Sequence, residues 1–462
     1  MSFWMLSTPE ATPALFFGSH AVNSGTVTYG ELARHADEFI ELLGIPTQKR
    51  LGVIVCRNAT AAIYGYIGAL RSGDAIILLN EETNSGLFQA LLDAYDPDWI
   101  LRPARDQLPE GYSSHAYEDS WQLLRREANE QGGPVHPDIA VLLSTSGTTG
   151  SPKMVKLSYR NIAANAKDIA DYLSIGPEDR AVTTLPFNYS YGMSVINSHL
   201  TAGASLVLTE SSLLTREFWD TITYHHVTSL AGVPYTYQML HRLDPRRLTL
   251  DSLRTLTQAG GRLSPRLVDY FCELSKERGW QFFVMYGQTE ASPRISYVPP
   301  AMLAAKSGAI GIAVPSGRLS LSEQGELIFQ GPNVMMGYAE CRDDLARGDE
   351  LGGLLATGDL ASMDADGYFY LHGRLRRFVK IHGNRVSLDD IEQRLEAEFH
   401  LPVAVVGKDD KLAIYLTEDI DPSAAKDVLT STYNLHPTTF SIIQIETIPH
   451  TPSGKKDYAG LA

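Results

Sequence analysis

The stretch Ser144-Thr145-Ser146-Gly147-Thr148-Thr149-Gly150-Ser151-Pro152-Lys153 constrains this chain more than any other. Hydroxyl residues crowd around two glycines, and a lysine closes the run. The apolar residues 139–143 before it predict a buried strand. Residues 158–173 after it predict a helix, with Ile162, Ala166, Ile169 and Leu173 on one face. A loop of this make-up suits a phosphate group. Glycine lets backbone N–H groups approach an anion, hydroxyls donate, and lysine adds a point charge. It is not a Walker A loop, because Gly147 and Gly150 stand too close together and Lys153 is not followed by Ser or Thr.

With 462 residues the chain exceeds one typical domain, and its 44% hydrophobic and 20% charged content is that of a globular protein. The formal net charge of −15 excludes a broad nucleic-acid or anionic-membrane surface, so an anionic ligand must be held by local positive charge. Cys56, Cys272 and Cys341 are far apart, show no metal-ligand spacing and read as small buried residues in a reducing compartment. The N-terminus lacks the basic segment of a secretory signal, and the uncharged run 59–70 is too short to span a bilayer. The expectation is a cytoplasmic chain with no membrane span and no nucleic-acid partner.

Helix and strand signals alternate through most of the chain, which predicts an α/β architecture with largely parallel sheets. Residues 27–32 start an amphipathic helix with Leu32, Ala36, Ile40 and Leu43 on one face, and 51–55, 75–79, 204–208 and 281–285 read as strands. Strand character turns antiparallel at 325–329 and 367–371, each opened by glycine. Residues 379–386 predict a hairpin turning at Gly383-Asn384. A helix follows, capped by Ser387 with Asp390 three residues on, with Leu388, Ile391, Leu395 and Phe399 as its apolar stripe. Residues 402–406 and 412–416 read as further strands.

Four more segments carry chemistry. Tyr286-Gly287-Gln288-Thr289-Glu290 follows the strand at 281–285, the place where open α/β sheets bind ligands. There an aromatic ring can stack on a purine, a threonine can donate to a phosphate oxygen, and a carboxylate can hold Mg²⁺. Gly260 and Gly261 leave backbone bare enough to lie against a base. Asp359 can accept from both ribose hydroxyls, and Arg374 can steady the sugar. Thr451-Pro452-Ser453-Gly454-Lys455-Lys456 presents a lysine on a rigid turn, where an ammonium can stabilise charge developing on a phosphoryl group.

In this order and over nearly the whole chain, these motifs resemble the adenylate-forming enzymes: acyl-CoA synthetases, adenylation domains of nonribosomal peptide synthetases, and firefly luciferase. The resemblance implies a large N-terminal AMP-binding domain of sheets flanked by helices, residues 1–375. It also implies a small mobile α+β C-terminal domain, residues 377–462, turning on a hinge at Arg376. It implies a nucleotide site at Thr145, Ser146, Gly147, Thr148, Thr149, Gly150, Lys153, Gly260, Gly261, Tyr286, Gly287, Asp359 and Arg374. Thr289, Glu290 and Lys455 would be catalytic, with Glu290 on Mg²⁺; Lys455 is preferred over Lys456 because it directly follows the glycine. Lys380 and Gly383 would serve a second half-reaction with a phosphopantetheine thiol. Asn188, Tyr189, Ser190, Gly232 and Val233 would line an acyl pocket. Ser190 falls where amino-acid-activating relatives carry an aspartate for the substrate ammonium, which weakens an α-amino-acid reading. ATP, a small carboxylic acid, and coenzyme A or an acyl or peptidyl carrier protein are the implied partners. A non-thiol acceptor and a noncatalytic nucleotide-binding role remain open, as do the acid's identity and the oligomeric state.

Overall fold

The structure, a computed structural model, describes all residues except 1, 20–21, 119, 128–132, 145–152, 376, 382–383, 409, 418, 434, 452–454 and 462. Two large sheets form the body. One orders nine strands. Its middle is parallel: Pro13–Ser19, Ser205–Leu208, Arg180–Val182, Ser229–Gly232, Thr255–Gln258 and Gln281–Gly287 run the same way. Val22–Thr28 closes one edge and Arg294–Val298 begins the other, both antiparallel. The second sheet orders eight strands around a parallel centre of Ile139–Ser144, Ala75–Asn80, Leu51–Cys56 and Trp99–Pro103.

The uncharged run at 59–70 now has a cause. It lies in the helix Thr60–Ser72, whose residues 61–70 are all buried. With the helix Tyr29–Leu43 it sits in one apolar cluster that includes Leu15 and Leu206 of the first sheet and Ile54 and Ile76 of the second. Burial on every side leaves no place for a charge that lacks a partner. In Tyr29–Leu43 the expected stripe shifts by one position: Phe39, not Ile40, is buried with Leu32, Ala36 and Leu43. Thr28 caps this helix through a reciprocal box with Glu31. The helix Tyr159–Leu173 buries all four residues of its expected face.

Several strands were not legible in the sequence, and one of them changes the setting of the Ser144–Lys153 run. Met154–Ser158 pairs antiparallel with Ile139–Ser144, so the Ser144–Lys153 run joins a hairpin rather than leading from strand to helix. Its Lys156 reads as polar, yet it is fully buried. Its ammonium is satisfied by Glu350 at 3.2 Å and by the carbonyls of Asp344 and Arg347.

Between residues 310 and 387 the strands pair antiparallel, as the glycine-led strands suggested, whereas further on Lys411–Thr417 pairs antiparallel with Val403–Lys408 and parallel with Phe440–Ile445. Arg318–Leu321, Glu326–Gln330, Leu354–Met363 and Phe369–Arg374 form one of four strands. Residues 379–435 gather a core of their own around Ile391, Leu395, Val403 and Ile414. In that part Ile381 pairs with Asn384, so Asn384 stands in a strand, not in the turn. Ser387 accepts from the Asp390 amide at 3.2 Å and caps the helix Leu388–Phe399; Phe399 is only partly covered. Cys56 and Cys272 are buried, whereas Cys341 is half-exposed.

Gly287 ends the strand that leads to Thr289 and Glu290. A methyl group there would stand 2.0 Å from the carbonyl oxygen of Pro293, just before the returning strand Arg294–Val298. Backbone cannot yield as a flexible side chain can. Gly287→Ala should therefore lower stability by about 1–3 kcal/mol. Urea unfolding compared with the unaltered chain checks this.

Candidate active site

Two strand pairs and one turn meet at a single place. The strand Gln281–Gly287 delivers Tyr286, and the short turn Thr289–Ala291 after it delivers Thr289 and Glu290. In the antiparallel pair Leu354–Met363 and Phe369–Arg374, Asp359 stands directly opposite Arg374. Asp359 is 5% exposed. It accepts from the Tyr286 hydroxyl, and Arg374 Nε lies 3.3 Å from its other oxygen. Burial holds the Asp359 carboxyl above the usual carboxylate range, against the opposing pull of the Arg374 charge and the Tyr286 hydrogen bond. Burial and the Asp359 charge hold the Tyr286 hydroxyl well above its ordinary range, so it stays a donor.

The C-terminal turn adds the lysine. The Lys455 amide donates to Thr451 Oγ1 at 3.2 Å, and its carbonyl accepts from the Thr451 amide at 2.7 Å. His450 packs on Tyr235 with 5.8 Å between ring centroids, which seats the turn beside the helix Pro234–Leu243. Lys455 Nζ lies 5.6 Å from the centre of the Tyr189 ring. Burial lowers its pKa to about 8, helped by the Arg374 charge and opposed by Glu290 and Asp359. The four groups thus feel one another across one small volume. Lys456 points elsewhere. Its ammonium meets Glu396 at 2.6 Å, Glu392 at 3.2 Å and the Val403 carbonyl. Those carboxylates hold its charge firmly against the effect of burial.

Glu290 Oε1 accepts from the Tyr338 hydroxyl at 2.9 Å, and Lys153 Nζ lies 4.0 Å from the centre of the same ring. Tyr338 therefore links Lys153 to Glu290. Thr289 Oγ1 and Ser190 Oγ are 3.2 Å apart. Gly260 has φ +83° and lies under the Tyr189 hydroxyl, which a methyl at that position would meet at 2.6 Å. The same methyl would touch Val233 at 3.0 Å, and Gly232 ends the strand just before. The carbonyl of Gly261 accepts from Gln258 Nε2 at 2.8 Å. Asn188 is half-buried beside Tyr189.

The structure thus brings together Lys153, Tyr189, Ser190, Val233, Gly260, Tyr286, Thr289, Glu290, Asp359, Arg374 and Lys455. Thr145, Ser146, Gly147, Thr148, Thr149, Gly150, Arg376 and Gly383 lie outside the described residues. Lys380 stands in the strand Phe378–Ile381 opposite Arg385. Two residues of the region escaped the sequence reading. Tyr338 lies in no motif that was singled out. Arg294 did leave a signal, a lone charge opening the otherwise uncharged strand Arg294–Val298.

Glycines, hydroxyls and opposed charges gathered at strand ends are the kind of arrangement with which α/β proteins hold nucleotides. Residues 5–339 match the family described as AMP-binding enzyme, and the chain belongs to that family. It is 29% identical to feruloyl-CoA synthase from Amycolatopsis sp over 273 residues, which covers 56% of this chain and 54% of that one. It is 31% identical to indoleacetate–CoA ligase from Aromatoleum aromaticum over 343 residues, covering 70% and 65%. The chain thus spans about half to two-thirds of the length of these curated relatives. The fold is that of the O-succinylbenzoate coenzyme A synthetase of Bacillus subtilis in complex with AMP, with TM-score 0.78, 22% identity and coverage of 99% and 97%.

The two neighbouring lysines should separate in a stability measurement. Lys456→Met strands Glu392 and Glu396 and should cost about 1–3 kcal/mol. Lys455→Met removes a charge that burial already disfavours, and should leave the unfolding midpoint unchanged or slightly raised. Parallel urea titrations of the two variants check this.

Proposed function

We propose that this chain joins a carboxylic acid to AMP at the expense of ATP and then passes the acyl group to a thiol. In the first step a carboxylate oxygen attacks the α-phosphorus, the bond to the β-phosphate oxygen breaks, and pyrophosphate leaves. In the second, a thiolate attacks the acyl carbon and AMP leaves, the thiol proton going to solvent. The observation that carries this reading is the placement of Lys455, near Glu290, Asp359 and Arg374 and over Tyr189. An ammonium so placed can draw the carboxylate and the α-phosphate together and offset the charge that grows as they react.

The other roles follow from the same cluster. Asp359 and Arg374 take the ribose, and the Tyr286 ring, tethered by its hydroxyl, offers a face to the base. Gly260 and Gly261 let the base lie close to backbone. Lys153 and Thr289 serve the phosphates, together with the 145–150 loop. Glu290 suits Mg²⁺, which binds through one or two carboxylates plus substrate phosphates rather than a protein cage. When bound, Mg²⁺ neutralises phosphate charge. Glu290 is a single half-buried carboxylate with one oxygen engaged by Tyr338, which fits that need.

The relatives' names, feruloyl-CoA synthase and indoleacetate–CoA ligase, favour coenzyme A over a carrier protein's phosphopantetheine as the acceptor. For the second step residues 377–462 would turn on Arg376 against residues 1–375 and bring Lys380 and Gly383 to the thiol. The separate apolar core of residues 379–435 supports that division.

The test is carboxylate-dependent exchange of pyrophosphate into ATP over a panel of acids. Lys455→Ala should lower exchange by about two to three powers of ten, with Lys456→Ala much closer to the unaltered chain. An inert Lys455→Ala change would contradict the assignment. The pH profile gives a second readout. Only the protonated lysine stabilises the reaction, and its pKa is lowered to about 8. In the free enzyme kcat/KM should therefore fall as pH rises through about 8, and Lys455→Arg should remove that fall. Glu290→Gln should raise the Mg²⁺ concentration needed for half-maximal exchange, as a Mg²⁺ titration would show.

A further inference from the structure

Arg294 has no use in the scheme above, and its surroundings do not explain it. It is 2% exposed, opens the strand four residues after Glu290, and lines a small cavity with Tyr191, Ser194, His199, Thr257 and Met285. Among the described residues no carboxylate pairs with it. Its Nε has no hydrogen-bond partner, its Nη2 meets Ser194 Oγ at 3.5 Å, and the guanidinium also serves the Tyr172 hydroxyl. The guanidinium centre lies 4.6 Å from the Tyr191 ring centre, and the Tyr172 hydroxyl is a further neighbour. A stacked ring partly offsets a buried charge but does not satisfy an N–H donor such as Nε. Buried arginines are ordinarily paired, because an uncompensated interior charge is expensive. A second idle polar atom lines the same cavity. His199 Nδ1 is taken by the Val195 carbonyl at 2.8 Å, and its Nε2 has no partner.

One helix passes both the cavity and the reacting centre. Ser190, beside Thr289, and Ser194, beside Arg294, sit four residues apart on the helix Ser190–Thr201. Residues at that spacing share a face and lie about 6 Å apart along the axis. Arg294 is therefore about one helical turn deeper than the place where the acid's reacting carboxylate would stand. The position lacking an aspartate for a substrate ammonium is Ser190, and the charge offered further in is positive.

Resting on the proposed acid activation, we propose that the substrate is a short acid with a second carboxylate, and that Arg294 is the specificity-determining residue that binds it. The planar guanidinium accepts a carboxylate through two parallel N–H···O bonds, and the substrate supplies the counter-charge that the fold omits. Ser194 adds a hydroxyl donor at the same point. A monocarboxylate of equal length would leave Arg294 unpaired and dry, and a site built for a polar group rejects an analogue that lacks it.

The experiment compares pyrophosphate exchange by the unaltered enzyme on dicarboxylic acids and on monocarboxylic acids matched in length, then repeats it with Arg294→Met and Arg294→Lys. The expected result is a kcat/KM at least about 100-fold higher for a short dicarboxylate. Arg294→Met should abolish that preference by a selective loss on the diacid, with monoacid turnover kept or raised, and Arg294→Lys should retain part of it. Equal turnover of matched mono- and diacids by the unaltered enzyme would overturn the inference and leave acid activation standing. So would an Arg294→Met enzyme that keeps the preference. No exchange with any acid, from protein that binds ATP, would overturn acid activation and this inference with it. The comparison within the unaltered enzyme decides the matter even if Arg294→Met fails to fold.

Discussion

The site is organised around one buried carboxylate. Asp359 ties three parts of the chain together: its own strand, the Tyr286 strand end through the hydroxyl, and the neighbouring strand through Arg374. Burial alone would push its carboxyl towards the neutral form, and the arginine and the tyrosine oppose that. The compensation runs in the other direction too. Arg374 is largely exposed and would wander without Asp359, and Tyr286 would present its ring at no fixed angle. Lys455 then enters a field set by Arg374 on one side and by Glu290 and Asp359 on the other. Its loosely held proton follows from that arrangement and from burial.

The fold was legible in the sequence in several stretches of uniform burial. The run 59–70 and the strands at 51–55 and 75–79 carry no charge because they are covered on all sides, and their pattern announces that. Legibility failed where a polar residue is buried with private partners. Lys156 disguised the strand Met154–Ser158, because nothing local shows that Glu350 and two distant carbonyls will satisfy it. Ile40 and Phe39 compete for one helical face, and only packing across the helix decides between them. At the site, motif residues such as Asp359 and Arg374 could be named one by one, and their direct pairing is a matter of strand register. Tyr338 carries no motif at all, and its place between Lys153 and Glu290 exists only in three dimensions.

Charge is placed locally in a chain whose overall balance is −15. The positive groups Lys153, Arg374 and Lys455 gather at the cluster proposed for the nucleotide, while Lys456 is held by Glu392 and Glu396 within its own fold. Arg294 differs from all of these. It is buried, stacked on Tyr191 and unmatched by any described carboxylate, at the wall of a small cavity. A protein interior tolerates such a charge when a ligand completes it, and that links the selectivity of the chain to a residue outside its nucleotide machinery.

In the proposed reaction a carboxylate oxygen becomes bonded to the α-phosphorus within the Lys455–Asp359–Glu290 cluster. The most direct measurement follows that oxygen. An acid labelled with heavy oxygen in its carboxylate, turned over with ATP and a thiol, should transfer one labelled oxygen into the AMP released, read by mass spectrometry. Label in inorganic phosphate with ADP as the product would mean attack at the γ-phosphorus, and AMP free of label would mean that no acyl-adenylate forms. Either result would contradict the account.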